Sequence, residues 1–147
     1  TLPSLNRYRK LGVFLDHEAQ AKAAYDVNEK LKLKYYSLWQ NVRKLSGGNQ
    51  QKIVISKWML RDADIFLLDE PTRGIDIGTK IEIQKLVLRL ADEGKSVTFI
   101  SSEIDEMLRT CSRLIVMRDR KIVGELTGAD LTQAKVMATI AGGESAS

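Results

Sequence analysis

The sequence predicts an α/β domain, a mostly parallel sheet flanked by helices with a helical portion at its N-terminal side. Three observations carry this. Ile65–Asp69 (IFLLD) and Ser96–Ile100 (SVTFI) are short apolar runs that suit strands buried within a parallel sheet. Between them Ile83, Leu86, Val87 and Leu90 recur at helical spacing, so a helix from about Gly78 to Glu93 should cover one sheet face. Upstream, Leu45–Lys52 (LSGGNQQK) places a hydroxyl and two glycines at the mouth of a helix continued by Ile53–Leu60.

Composition bounds the possibilities. A chain of 147 residues with 44% hydrophobic and 29% charged residues can bury the core of one soluble domain. Its net charge of +4 is spread among acids rather than gathered into a block, so nucleic acid is not an expected partner. Cys111, the single cysteine, cannot form an intrachain disulfide, fits a reducing compartment and reads as a small buried residue. No run approaches the about 18 apolar residues of a membrane span. Thr1–Lys10 lacks a signal-peptide pattern. Membrane association would therefore come through a partner. Neither an internal repeat nor a low-complexity tract is evident.

The elements follow in chain order. Arg7–Leu11 (RYRKL) reads either as a basic helix or as a solvated tether. Asp16 is a suitable cap for an amphipathic helix to about Lys34, with Ala23, Val27 and Leu31 on one face and Lys22, Asp26 and Lys30 on another. His17 in its first turn reads as solvated, because nothing nearby could orient it for catalysis. Ser37–Gln40 (SLWQ) fits a capping box opening a short helix toward Leu45, and Tyr35, Tyr36 and Trp39 are spaced like core aromatics. After the second strand comes a short helix to about Thr110. Leu114–Met117 and Ile122–Leu126 should then pair antiparallel through a turn at Asp119 and Arg120. Leu131–Ala141 closes the chain as a helix stopped by Gly142 and Gly143, with a loose tail beyond.

Two stretches bear chemistry. In LSGGNQQK, Ser46 can cap the helix, while Gly47 and Gly48 let backbone N–H groups approach an anion; an ordinary helix cap after a turn remains the plainer alternative. At the end of the IFLLD strand stand Asp69 and Glu70, with Pro71 stopping the strand. Ligands of open parallel sheets bind outside the carboxyl ends of the strands. There Asp69 can hold Mg2+, usually through water, and Glu70 can orient and deprotonate an attacking water. Alternatively Asp69 caps the following turn and Glu70 is solvated.

Together LSGGNQQK, IFLLDEPTRGID and FISSEIDE resemble the signature motif, Walker B segment, D-loop and switch region of an ABC-type ATPase, a P-loop NTPase fold. The wording is most similar to the second nucleotide-binding domain of bacterial monosaccharide importers of the ribose and galactose kind, densely so from about Leu45 to Leu126. The resemblance implies a division into residues 1–45, part of the helical subdomain; 46–126, the C-terminal part of the ATPase core; and 127–147, a terminal helix and tail. It implies ATP and Mg2+ as cofactors. It implies as partners the membrane permease subunits and an opposing nucleotide-binding domain, at the cytoplasmic face of a bacterial membrane. Ser46, Gly47, Gly48, Asn49 and Gln50 would complete the opposing domain's ATP site, and Asp76 would belong to the D-loop or simply cap the next helix.

Two departures qualify these expectations. The glycine loop G-x-x-x-x-G-K-[S/T] does not occur, since Gly74–Lys80 (GIDIGTK) has the wrong spacing and puts threonine before lysine. The chain thus resembles the C-terminal half of one domain, and its signature motif is expected to act in trans. At the position where the family usually has a switch histidine stands Glu103, an anion unhelpful beside a triphosphate. The site nearest Glu70 is therefore expected to be slow or altered. The competing reading is a non-enzymatic half-domain that binds a partner. A soluble ABC ATPase of DNA repair or translation would typically carry coiled-coil or linker insertions, and none is evident.

Overall fold

In the computed structural model, residues 8–10 and 14–142 are described, and their fold is mixed α/β. The chain divides into two compact units, the first running to Phe66 and including Thr72–Val97, the second comprising Leu67–Pro71 and the residues from Thr98.

The first unit is largely helical. Its opening strands β1 (Arg9–Lys10) and β2 (Phe14–Leu15) pair antiparallel, with Arg9 opposite Leu15. Arg9 and Lys10 of the basic cluster are thus in a strand rather than a helix or tether, while Arg7 and Leu11 lie outside the described residues. Helix α1 (His17–Lys30) starts where Asp16 accepts the Ala19 amide at 3.0 Å, and ends before Lys34 because Lys32 turns to a positive φ. Its predicted solvent face, Lys22, Asp26 and Lys30, is exposed, and Leu31 is buried.

Ser37–Gln40 is a turn, not a helix: Ser37 Oγ accepts from the Trp39 amide at 3.2 Å and Gln40 Oε1 from the Tyr36 amide at 2.9 Å. The reciprocal Ser37–Gln40 bonds of a capping box do not form, since the two side chains accept from the Trp39 and Tyr36 amides instead, and only a 3₁₀ turn at Val42–Lys44, capped by Asn41, follows. The neighbouring aromatics do not enter the core. Tyr36 is 100% and Trp39 83% exposed, with Tyr35 half-buried.

Helices α2 (Gly47–Met59) and α3 (Ile77–Asp92) pack on each other, and α2 also on α1. The buried residues of this unit include Leu31, Ile55, Leu60, Phe66, Ile83, Leu86, Val87 and Leu90. Each such side chain contributes about 1.5–3 kcal/mol by leaving water. The predicted face of α3 is the buried one, and the helix ends at Glu93 with Gly94 at φ +82°. Lys95 Nζ holds Asp62 and Asp64, each at 3.1 Å, joining the approaches to the two strands that follow.

Strands β3 (Ile65–Asp69) and β4 (Ser96–Ile100) are hydrogen-bonded neighbours joined through α3. Strand β3 is not buried on both faces as its sequence predicts. Phe66 is buried, but Ile65 is 67% and Leu67 74% exposed, because this two-stranded sheet has one face toward solvent among the described residues.

The second unit is built on a hairpin. Helix α4 (Ile104–Thr110) leads to β5 (Arg113–Arg118), which pairs antiparallel with β6 (Lys121–Thr127). Asp119 and Arg120 both take positive φ, 52° and 63°, as a two-residue hairpin turn requires. Helix α5 (Gln133–Ala141) returns over the strands and ends at Gly142, φ +85°; Gly143 and the tail lie outside the described residues. It comes so close to β6 that a Cβ on Gly124 would sit 2.5 Å from Thr139 Cγ2. Leu114, Val116, Leu126 and Val136 form the core here, with Met107, Leu108 and Cys111 packed against it. Cys111 is half-buried rather than fully buried, and that burial pushes its thiol pKa up.

Candidate functional site

In the first unit, Ser46 stands at the N-cap of α2, its Oγ accepting from the Asn49 amide at 3.5 Å and from Asn49 Nδ2 at 3.0 Å. Asn49 Oδ1 in turn accepts the Lys34 amide at 3.2 Å, and Gln50 Nε2 donates to the Leu45 carbonyl at 2.8 Å. These bonds fix the turn that precedes the helix. They leave Ser46 and Gly47 exposed at its N-terminus, where unpaired amides and the helix dipole favour an anion.

The two glycines serve different needs. A Cβ on Gly47 would meet nothing within 4 Å, so that position is open to a ligand. Gly48 is buried, and a Cβ there would lie 2.5 Å from Thr79 Cγ2 and 2.7 Å from Thr79 Oγ1. The sequence reading gave both glycines to ligand approach; at Gly48 the missing Cβ is taken up by α3 instead.

Thr79 extends this contact to Asp76. The Asp76 carboxylate caps α3, accepting the Thr79 amide at 3.0 Å and the Thr79 hydroxyl at 2.8 Å. Those bonds, the backbone one foremost, hold the Asp76 carboxyl below its ordinary pKa. LSGGNQQK and Asp76 are thereby brought together through one threonine. Sequence reasoning missed Thr79, although an aspartate three residues before a threonine at a helix start is a legible capping pattern. It also missed Lys52, buried in α2 and ion-paired with Glu82 of α3. A lysine four residues after Gly48 shares its helix face, which was the available signal.

The second unit carries the strand-end carboxylates. Asp69 ends β3 and is exposed, able to offer one carboxylate to a cation. No group of three or more His, Cys, Asp and Glu side chains suited to a metal occurs among the described residues, so a metal here would draw its other ligands from water or substrate. Glu70 has φ +46°, a strained value for a residue with a Cβ. Its amide donates to the Ile100 carbonyl at 2.9 Å, and its Oε1 accepts the Ser102 amide at 3.0 Å. Glu70 and the Ser101–Glu103 turn are thus one bonded cluster. Ser101 Oγ accepts the Glu103 amide at 3.0 Å and donates to buried Glu106 at 3.3 Å, while Glu103 opens α4 without a side-chain cap bond.

The fold that carries these carboxylates and the glycine-opened helix is similar to that of ATP-binding cassettes. Over 96% of its length this chain superposes on the ADP conformation of an ATP-binding cassette of an ABC transporter, with a TM-score of 0.70, 27% identity and 56% of that chain covered. A dimeric post-hydrolysis cassette bound to ADP and Pi matches over 86% of this chain and 53% of that one, with a TM-score of 0.72 and 25% identity. A model of the ABC transporter family matches residues 3–73. The chain is 50% identical over 92% of its length to a ribose/galactose/methyl galactoside import ATP-binding protein of Burkholderia cenocepacia, covering 27% of that protein. It is 43% identical over 98% of its length to a xylose import ATP-binding protein of Geobacillus kaustophilus, of which it covers 28%. The chain therefore spans about a quarter of the length of the curated relatives it matches. No helix among the described residues is long and apolar enough to cross a membrane.

Proposed function

We propose that the chain is part of the ATP-hydrolysing, energy-coupling subunit of a bacterial carbohydrate ABC importer, peripheral on the cytoplasmic face of the membrane. Its LSGGNQQK segment would complete the ATP site of an opposing nucleotide-binding domain. The observation that carries this reading is the exposed start of α2, with Ser46 as its N-cap, Gly47 open and Gly48 seated on Thr79 beside Asp76. Neutral donors held there suit a γ-phosphate presented as two domains close. The names of relatives that are 42–50% identical support the sugar-importer setting.

In this reading Ser46, Gly47, Gly48, Asn49 and Gln50 face the partner's nucleotide, Asp76 reaches toward the same interface and Asp69 is a ligand of Mg2+. ATP supplies the phosphoanhydride bond whose cleavage drives the cycle. Glu70 orients the attacking water, its carboxylate steered by the Ser102 amide. Glu103 occupies the switch position and makes the near site slow. Residues 1–45 form part of a helical subdomain facing the permease subunits, 46–126 part of the ATPase core and 127–147 a terminal helix and tail.

Ser46→Arg tests the proposal in the membrane complex reconstituted with this chain. The bulky cation should abolish transport-linked ATP hydrolysis, and turnover at the wild-type level would overturn the reading. The alternative, a half-domain that binds a partner without turning over ATP, is favoured for the chain by itself, whose sequence holds no G-x-x-x-x-G-K-[S/T] loop. Equilibrium ATP binding separates the two: weak binding alone and recovery with a domain supplying that loop support the first.

A further inference from the structure

Helices α2 and α3 meet at two successive levels on one face. At the first, Gly48 lies against Thr79, which is bonded through both its amide and its hydroxyl to Asp76. One helical turn on, Lys52 reaches Glu82 as an ion pair. The Lys52 side chain is only 5% exposed, whereas that of Glu82 is 42% exposed, so the ammonium is drawn out of water toward a carboxylate that remains half in it. Lys52 Nζ lies 3.4 Å from the Lys32 carbonyl, which supplies a second acceptor. A buried ammonium tolerates few positions, because moving it from its carboxylate leaves an uncompensated charge. The pair therefore resists both sliding and rotation of α2 against α3, as a purely apolar contact would not.

We propose that Lys52 and Glu82 are positioning residues that, with Thr79, clasp the start of α2 to the Asp76 turn so that Ser46–Gly47 and Asp76 meet a nucleotide at the domain interface as one rigid piece. This rests on the signature-in-trans reading above. Neither residue touches nucleotide. Each acts through the helix that carries the contacting groups.

The test is ATP hydrolysis against ATP concentration by the reconstituted complex, for Lys52→Met, Glu82→Gln and Lys52→Arg, with melting temperatures of the same preparations. Misplacing a contacting group by about an ångström costs up to about 100-fold in rate, so Lys52→Met should lower kcat at least about tenfold per folded molecule and raise the apparent KM for ATP. Lys52→Arg keeps the pair and should recover most of the activity. If Lys52→Met fails to fold, Glu82→Gln, whose carboxamide keeps the shape at a half-exposed position, must show the same split in smaller measure. Unchanged kcat and KM in the folded variants, or a Lys52→Arg as impaired as Lys52→Met, would overturn the clasp. Ser46→Arg, run in parallel, separates the two failures: inactive Ser46→Arg beside fully active Lys52→Met rejects the clasp alone, and fully active Ser46→Arg rejects both.

Discussion

Gly48 of α2 touches Thr79 of α3 so closely that an added Cβ would stand 2.5 Å from Thr79 Cγ2, while its neighbour Gly47 has nothing within 4 Å of the same hypothetical atom. The threonine is β-branched, is held by Asp76 through two hydrogen bonds and cannot rotate away cheaply. Gly48→Ala should accordingly destabilise the fold by about 1–3 kcal/mol, the usual cost of overpacking. Gly47→Ala should be neutral or slightly stabilising, since alanine is the better helix former by about 1 kcal/mol. Urea denaturation of both variants checks the contrast. Equal midpoints would mean that Gly48 is not an obligatory contact.

The hairpin turn gives an opposite case. Asp119 and Arg120 both adopt positive φ, where a Cβ costs about 1–2 kcal/mol per residue. Glycine at the second position removes that strain but restores about 0.5–1 kcal/mol of chain entropy to the unfolded state. Arg120→Gly should therefore stabilise the protein by roughly 0.5–1 kcal/mol, the difference of those two effects. A thermal melt that falls below wild type would indicate that Arg120 makes a compensating contact.

These cases show what was legible in the sequence. Periodic apolar spacing located α3 and its buried face, because Ile83, Leu86, Val87 and Leu90 can share one side only of a helix. Asp16 and Ser46 were readable as caps, since a cap is a bond within three residues. Ser37 and Gln40 satisfied the same kind of local pattern, yet a few hydrogen bonds do not offset helix nucleation, and a turn resulted. Contacts between distant segments were not legible. Nothing local in LSGGNQQK says that Gly48 serves Thr79, nor that Lys52 is buried against Glu82. Likewise an IFLLD run reads the same whether one face of its sheet is covered or two, and the exposure of Ile65 and Leu67 depends on what packs there.

Asp76 makes the capping half of its role measurable by pH. Hydrogen bonds from Thr79 lower its folded pKa below the unfolded value of about 3.9, so its ionised form is favoured by folding. The stability it contributes is present above the unfolded pKa and is lost as pH falls through the folded one. Asp76→Asn should melt below wild type at neutral pH, and the gap should close progressively below about pH 4. A gap independent of pH would mean that the carboxylate's charge is irrelevant to the cap.

Glu103 tests the chemistry at the other cluster. It opens α4 beside Ser102, whose amide holds Glu70 Oε1 at 3.0 Å, so a side chain at this position neighbours the group assigned to orient water. In the proposed site an anion there would repel the γ-phosphate and any hydroxide formed, whereas an imidazole could donate to either. Glu103→His should consequently leave total ATP hydrolysis by the reconstituted complex unchanged or raise it. It should do so without disturbing the Ser102–Glu70 bond, which is made by backbone on one side. The structural cost should be small, since an acid at a helix start contributes only about 0.3–1 kcal/mol through the helix dipole. Steady-state turnover at saturating ATP, paired with a melting curve, decides the matter. A clear loss of turnover in a variant that melts like wild type would mean that Glu103 takes part in hydrolysis rather than hindering it.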